Sequence, residues 1–90
     1  MSEQTKPEDL MDFPCHYQFK AIGEGGEVFC RAVVEAIRIH APVPAEAVRS
    51  QSSRQGTYQS VSVVLTIYSP KQLTSIYAEL NKIAGLKMLL

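Results

Sequence analysis

The chain has 90 residues, 46% hydrophobic and 20% charged, with five glycines and five prolines, which fits one compact domain and excludes a multidomain enzyme. Nine Lys and Arg balance nine Asp and Glu, and this argues against a dedicated nucleic-acid binder, because that task rests on a basic footprint. No apolar run approaches the roughly 18 residues of a membrane span, and the acidic start lacks the basic region and apolar core of a secretory leader, so neither membrane insertion nor secretion is expected.

Residues 1–12 carry Glu3, Glu8, Asp9 and Asp12 against Lys6 alone, a net charge of −3 that leaves +3 on residues 13–90. This polar, aperiodic stretch reads as a flexible acidic tail ahead of a mildly basic folded body over 13–90. Such uneven charge ordinarily serves solubility, and it can also let a tail cover a basic surface in cis. From His16 to Ile22 the chain alternates, Tyr17, Phe19 and Ala21 on one side and His16, Gln18 and Lys20 on the other, as a half-buried strand does. Gly23, Gly25 and Gly26 break it. Val28, Phe29, Ala32, Val33, Ala36, Ile37 and His40 then recur at three- and four-residue spacing, predicting an amphipathic helix that Pro42 ends after Ala41.

Glu46 to Gln51 suits a short edge strand, followed by a turn over Ser52 to Gly56. Tyr58 to Tyr68 is rich in β-branched and aromatic residues, with Val61, Val63, Leu65 and Ile67 facing one way and Ser60, Ser62, Val64 and Thr66 the other, which predicts a central strand. Ser69-Pro70-Lys71-Gln72 combines a reciprocal capping box with proline at the first helical position, where its missing N–H costs nothing. The helix it opens carries Leu73, Ile76, Tyr77, Leu80 and Ile83 on one stripe, with Gly85 as a left-handed C-terminal cap. Leu86 to Leu90 supplies the last strand. The order β-α-β-β-α-β predicts an α+β split βαβ arrangement, two helices on one face of a four-stranded antiparallel sheet.

Alternation assigns the uncovered face to His16, Gln18, Lys20, Ser60, Ser62, Val64 and Thr66, joined by Arg49, Gln51 and Lys87. No carboxylate falls on these strand positions. His16, Gln18, Lys20, Arg49, Ser60, Ser62, Thr66 and Lys87 therefore form the expected partner or effector surface.

Phe13-Pro14 before a strand with Phe19, Lys20 and Gly23, His40-Ala41-Pro42 closing the first helix, and Tyr77 and Leu80 in the second accompany the pattern S-x-x-G-x-Y-x-S-V at Ser53, Gly56, Tyr58, Ser60 and Val61. Over about residues 11–90 the chain in these features resembles the YbeD-like family of small bacterial proteins, a domain-of-unknown-function family. The resemblance implies a ferredoxin-like fold similar to the ACT regulatory domains, which often dimerise and bind small effectors, and it brings no established activity. It gives Ser53, Gly56 and Tyr58 no chemical role; Gly56 also suits a left-handed turn, with Ser53 bonding the local backbone. The chain departs from the family pattern in Gly23-Glu24-Gly25-Gly26 and in its longer acidic tail.

Other chemistries fare worse. Cys15, His16, Cys30 and His40 form no metal-ligand spacing, adjacent Cys15 and His16 point to opposite strand faces, and the two cysteines suit a reducing compartment as small apolar residues. The Gly23–Arg31 loop would offer helix amides to a phosphate ester or anhydride, yet Glu24 and Glu27 stand beside them and no P-loop Lys-Ser/Thr follows. Acylphosphatases share the topology and a glycine-then-Arg segment, loosely like Gly26 and Arg31, but need a strand asparagine, whereas Asn81 falls in the second helix. An RNA-binding sheet would want stacking aromatics where the central strand has Ser60, Ser62, Val64 and Thr66. The expectation is a cytoplasmic, homodimeric, non-catalytic regulatory or adaptor module, without cofactor, that engages a protein partner or a small anionic effector.

Overall fold

In the computed structural model, which describes residues 12–90, the first alternating stretch is β1, Cys15–Gly23. Phe19 and Ala21 are buried on its inner side, while His16 and Gln18 are exposed on the other. The tail expected over 1–12 lies, Asp12 apart, outside the described residues.

Helix α1, Gly26–Arg38, starts from Gly25 at φ 124°, a backbone that glycine tolerates, and no side chain caps it. Phe29, Val33 and Ile37, spaced four apart, are its buried ridge with Ala36. Val28, expected on the apolar stripe, lies at its rim and is 73% exposed. The helix also ends earlier than Ala41, because the amides of His40 and Ala41 both donate to the Ile37 carbonyl at 2.9 and 3.0 Å. Pro42 bars any return to helix.

The edge strand is shifted too. The Ala47 amide donates to the Pro44 carbonyl at 3.0 Å, making Ala45–Ala47 a 3-10 turn, and β2 runs from Val48 to Ser52. The central strand β3 is Gln59–Ile67. Helix α2, Pro70–Leu80, has Ser69 as its N-cap, with the Ser69 hydroxyl accepting from the Gln72 amide at 3.1 Å. The expected return bond is displaced by one residue: the Gln72 side-chain oxygen accepts from the Tyr68 amide at 2.8 Å, and its Nε2 donates to the His40 carbonyl at 3.0 Å. Gln72 thus ties the start of α2 to the end of α1. Beyond Leu80 the amides of Lys82 and Ile83 bond three residues back, to Glu79 and Leu80, so Gly85 caps no helix and serves the turn into β4, Leu86–Leu89.

The sheet order is β2-β3-β1-β4, and every neighbouring pair is antiparallel. Both helices cover one face, where Phe19, Phe29, Ile37, Ile67, Ile76 and Leu80 are almost fully buried. This is the ferredoxin-like α+β fold. The other face is left to solvent, and its chemistry follows from strand register.

Candidate anion-binding site

Side chains on one sheet face meet when they are directly opposite across strands. Lys20 of β1 is opposite Ser62 of β3, and Ser62 is opposite Arg49 of β2. One rung of the open face therefore reads Lys20, Ser62, Arg49, with the two cationic residues two strand spacings apart, about 10 Å between backbones. The next rung, Ile22, Ser60, Gln51, adds a hydroxyl and an amide. A shallow depression of about 340 Å³ lies over Lys20, Arg49, Gln51, Ser60 and Ser62.

No carboxylate of the described residues lines this depression. Among the described residues the ion pairs are Arg38 with Glu35, His40 with Glu79, Lys82 with Glu79 and Lys87 with Glu24; Lys20 and Arg49 take no part in them. Two cations flanking a hydroxyl can bind an anion's oxygens through charge-assisted hydrogen bonds, each stronger than a neutral one. Further along the face the His16 Nδ1 and the Thr66 hydroxyl are 3.3 Å apart, beside Gln18 and Val64.

Register thus gathers His16, Gln18, Lys20, Arg49, Ser60, Ser62 and Thr66 on one face. Lys87 differs in its pairing. The β1–β4 register shifts between Ile22 and Gly23, so Met88 stands opposite Ile22 and Lys87 is the extra residue of a bulge. Its ammonium lies 3.8 Å from the Glu24 carboxylate, so among the described residues it has an ionic partner that Lys20 and Arg49 do not.

Ser53, Gly56 and Tyr58 close the β2–β3 hairpin. The Ser53 amide donates to the Tyr58 carbonyl at 2.8 Å, the Tyr58 amide to the Ser53 hydroxyl at 3.0 Å, and the Gly56 amide to the Ser53 carbonyl at 2.9 Å. Gly56 holds φ 75°, the left-handed region that costs other residues roughly 1–2 kcal/mol. Gly56→Ala should lower the urea unfolding free energy by about 1 kcal/mol while leaving Lys20 and Arg49 chemistry unchanged, so anion affinity measured on the folded variant should equal that of the parent.

The glycine segment after β1 is likewise occupied with backbone. The Glu24 amide donates to the Gly85 carbonyl at 3.0 Å, and the Val28 and Phe29 amides donate to the Gly25 carbonyl at 3.1 and 3.4 Å. Glu24 and Glu27 are both exposed there. Among the described residues no group of three or more His, Cys, Asp or Glu is placed to hold a metal, and no helix is long and apolar enough to cross a membrane.

Residues 8–90 match the DUF493 family, described as protein of unknown function. The chain belongs to that family. A UPF0250 protein of Shewanella sediminis is 36% identical over 86 residues, covering 96% of this chain and 97% of the relative. A second, from Haemophilus ducreyi, is 38% identical over 87 residues, or 97% of this chain and 89% of its own. The YbeD-like resemblance read from Phe13-Pro14 and the S-x-x-G-x-Y-x-S-V pattern is to this same family. The solution structure of HP0495 from H. pylori superimposes with a TM-score of 0.66 at 14% identity, over all of this chain and 93% of that one. At that identity the DUF493 chain and HP0495 share a fold, and nothing about ligands follows.

Proposed function

We propose that this protein is a non-catalytic cytoplasmic regulatory module whose open sheet face binds a small anionic effector across Lys20, Ser62 and Arg49. The observation that carries the reading is the cross-strand rung itself, with two cations flanking one hydroxyl. Flat register gives such a site multidentate polar contact without a nucleophile or a paired acid and base, which is the chemistry of recognition and not of turnover.

The test is a calorimetric titration of inorganic phosphate, pyrophosphate and short dicarboxylates into the parent and into Lys20→Glu/Arg49→Glu, with circular dichroism as the folding check. Removing charge-assisted bonds worth about 1.5–3 kcal/mol each should weaken the best binder at least about tenfold. Binding to the parent should also weaken with added salt. Equal affinity in the folded double variant, or no binding by any of these anions, would overturn the reading, and a protein captured by the parent but not by the double variant would assign the face to an adaptor role instead.

A further inference from the structure

The open face changes character from one edge of the sheet to the other. The Lys20 amide donates to the Leu90 carbonyl at 3.3 Å and the Leu90 amide to the Lys20 carbonyl at 2.8 Å, so these two residues are directly opposite and share a face. Met88 stands opposite Ile22. Both rungs therefore extend past the anion site, one reading Arg49, Ser62, Lys20, Leu90 and the next Gln51, Ser60, Ile22, Met88. Toward β2 and β3 they are cationic and polar, and toward β4 they are apolar.

Ile22, Met88 and Leu90 add nothing to the core. Leu86 and Leu89 from the same stretch pack against it, whereas Met88 and Leu90 are 52% and 58% exposed and Ile22 is half-buried on their side of the sheet. Glu24, just past the end of β1, is engaged by Lys87 at 3.8 Å. An apolar strip that adjoins two cations and a hydroxyl matches a ligand with a charged head and an apolar body.

We propose that the effector held at the Lys20, Ser62, Arg49 rung is amphiphilic, a carboxylate or phosphate monoester whose unbranched aliphatic chain lies over Ile22 and Met88 and against Leu90. This inference rests on the anion site proposed above and adds the class of ligand. Ile22 is the diagonal neighbour of Ser62, about 8 Å away. Met88 is one strand further, about 12 Å from Ser62. A chain leaving a head group at Ser62 therefore runs diagonally past Lys20, whose own methylenes extend the apolar track. The unbranched, polarizable Met88 side chain adapts to such a chain. An inorganic anion has no apolar part to use this strip, and a second carboxylate placed on it would be desolvated without a partner.

The experiment titrates, by calorimetry, inorganic phosphate against butyl and hexyl phosphate, and acetate against pentanoate and heptanoate, all below micelle-forming concentrations. The proteins are the parent, Met88→Gln/Leu90→Gln and Lys20→Glu/Arg49→Glu, each checked for folding by circular dichroism. In the parent, affinity should rise about two- to fourfold per added methylene, the larger figure being full burial. Met88→Gln/Leu90→Gln should flatten that rise yet bind inorganic phosphate as the parent does, and Lys20→Glu/Arg49→Glu should weaken every probe. The series that binds more tightly at equal chain length identifies the head group. Alkyl phosphates bound no more tightly than inorganic phosphate would overturn this inference and leave the anion site standing, whereas no binding by any probe would overturn both. A rise of equal slope in Met88→Gln/Leu90→Gln would place the chain elsewhere and overturn the proposal. Flat chain-length dependence, with self-association of the parent lost in that variant on sedimentation, would give the strip to a second copy and overturn it as well.

Discussion

Gly23→Ala should unfold the protein at a markedly lower urea concentration, with a loss of about 2–3 kcal/mol, the size expected when a methyl group is forced into a packed core. A Cβ at this position would sit 2.5 Å from Cε1 and 2.6 Å from Cζ of Phe29, and 2.6 Å from the Gly85 carbonyl oxygen. Neither neighbour yields easily. The Phe29 ring is 2% exposed, and Gly85, at φ 88°, accepts the Glu24 amide. Phe29→Ala alone should cost about 3–5 kcal/mol through the cavity it leaves, a large share of the roughly 0.05–0.15 kcal/mol per residue that domains possess. In the Phe29→Ala background the ring clash is gone but the Gly85 clash persists, so Gly23→Ala should then cost about 1 kcal/mol less than in the parent. A Gly23→Ala protein within about 0.5 kcal/mol of the parent, the range of ordinary surface changes, would contradict this account.

That three-way contact also explains why the glycine segment looked like a phosphate loop in sequence. Gly23, Gly25 and Gly26 lie between a strand and a helix, as anion-binding loops do, but their spacing cannot reveal that Gly23 is emptied for Phe29 and Gly85. The contact joins residues distant along the chain.

The element order was legible because each element carries its own period. Phe19 and Ala21 alternate as a strand must, and Leu73, Ile76 and Leu80 keep the helical spacing. Element ends were less legible, since they are decided by single hydrogen bonds. Ile83 keeps the apolar period of α2 although the helix stops at Leu80, because the bonds Lys82 to Glu79 and Ile83 to Leu80 wind a tighter turn in nearly the same direction.

The candidate site divides in the same way. Alternation alone set Lys20, Ser62 and Arg49 on one face, but only register makes them a single rung. Lys87 is harder to place from sequence because a bulge breaks the two-residue period on which alternation rests, and nothing in Leu86 to Leu90 marks it. The start of the edge strand was hidden for a related reason: it comes at Val48, two residues later than Glu46, after a turn that Pro44 imposes.

Tyr77→Phe should make stability less sensitive to alkaline pH, and the sign follows from where the phenol sits. Its ring packs edge-on to Phe19 and Tyr17, with centroids 5.3 and 6.2 Å away. Its hydroxyl donates to the Leu90 carbonyl at 3.2 Å and lies 2.7 Å from the Tyr17 hydroxyl. With its one proton given to Leu90, Tyr77 accepts from Tyr17. Burial, then the bond to Tyr17, then repulsion between the two phenols if both ionise, hold the Tyr77 pKa well above the ordinary tyrosine value. In the unfolded chain that phenol ionises near pH 10, so above this pH the folded state binds more protons than the unfolded state, and stability falls as pH rises. Below pH 10 the contribution is fully present. At pH 8 Tyr77→Phe should therefore be the less stable protein, by about 1 kcal/mol for the lost hydrogen bonds. Urea midpoints followed from pH 8 to pH 11.5 should converge, because lysine deprotonation acts on both proteins alike while only the parent carries the Tyr77 proton. Parallel curves over that interval would show that the Tyr77 hydroxyl meets the same surroundings folded and unfolded, and would contradict the Tyr17–Tyr77–Leu90 chain of hydrogen bonds.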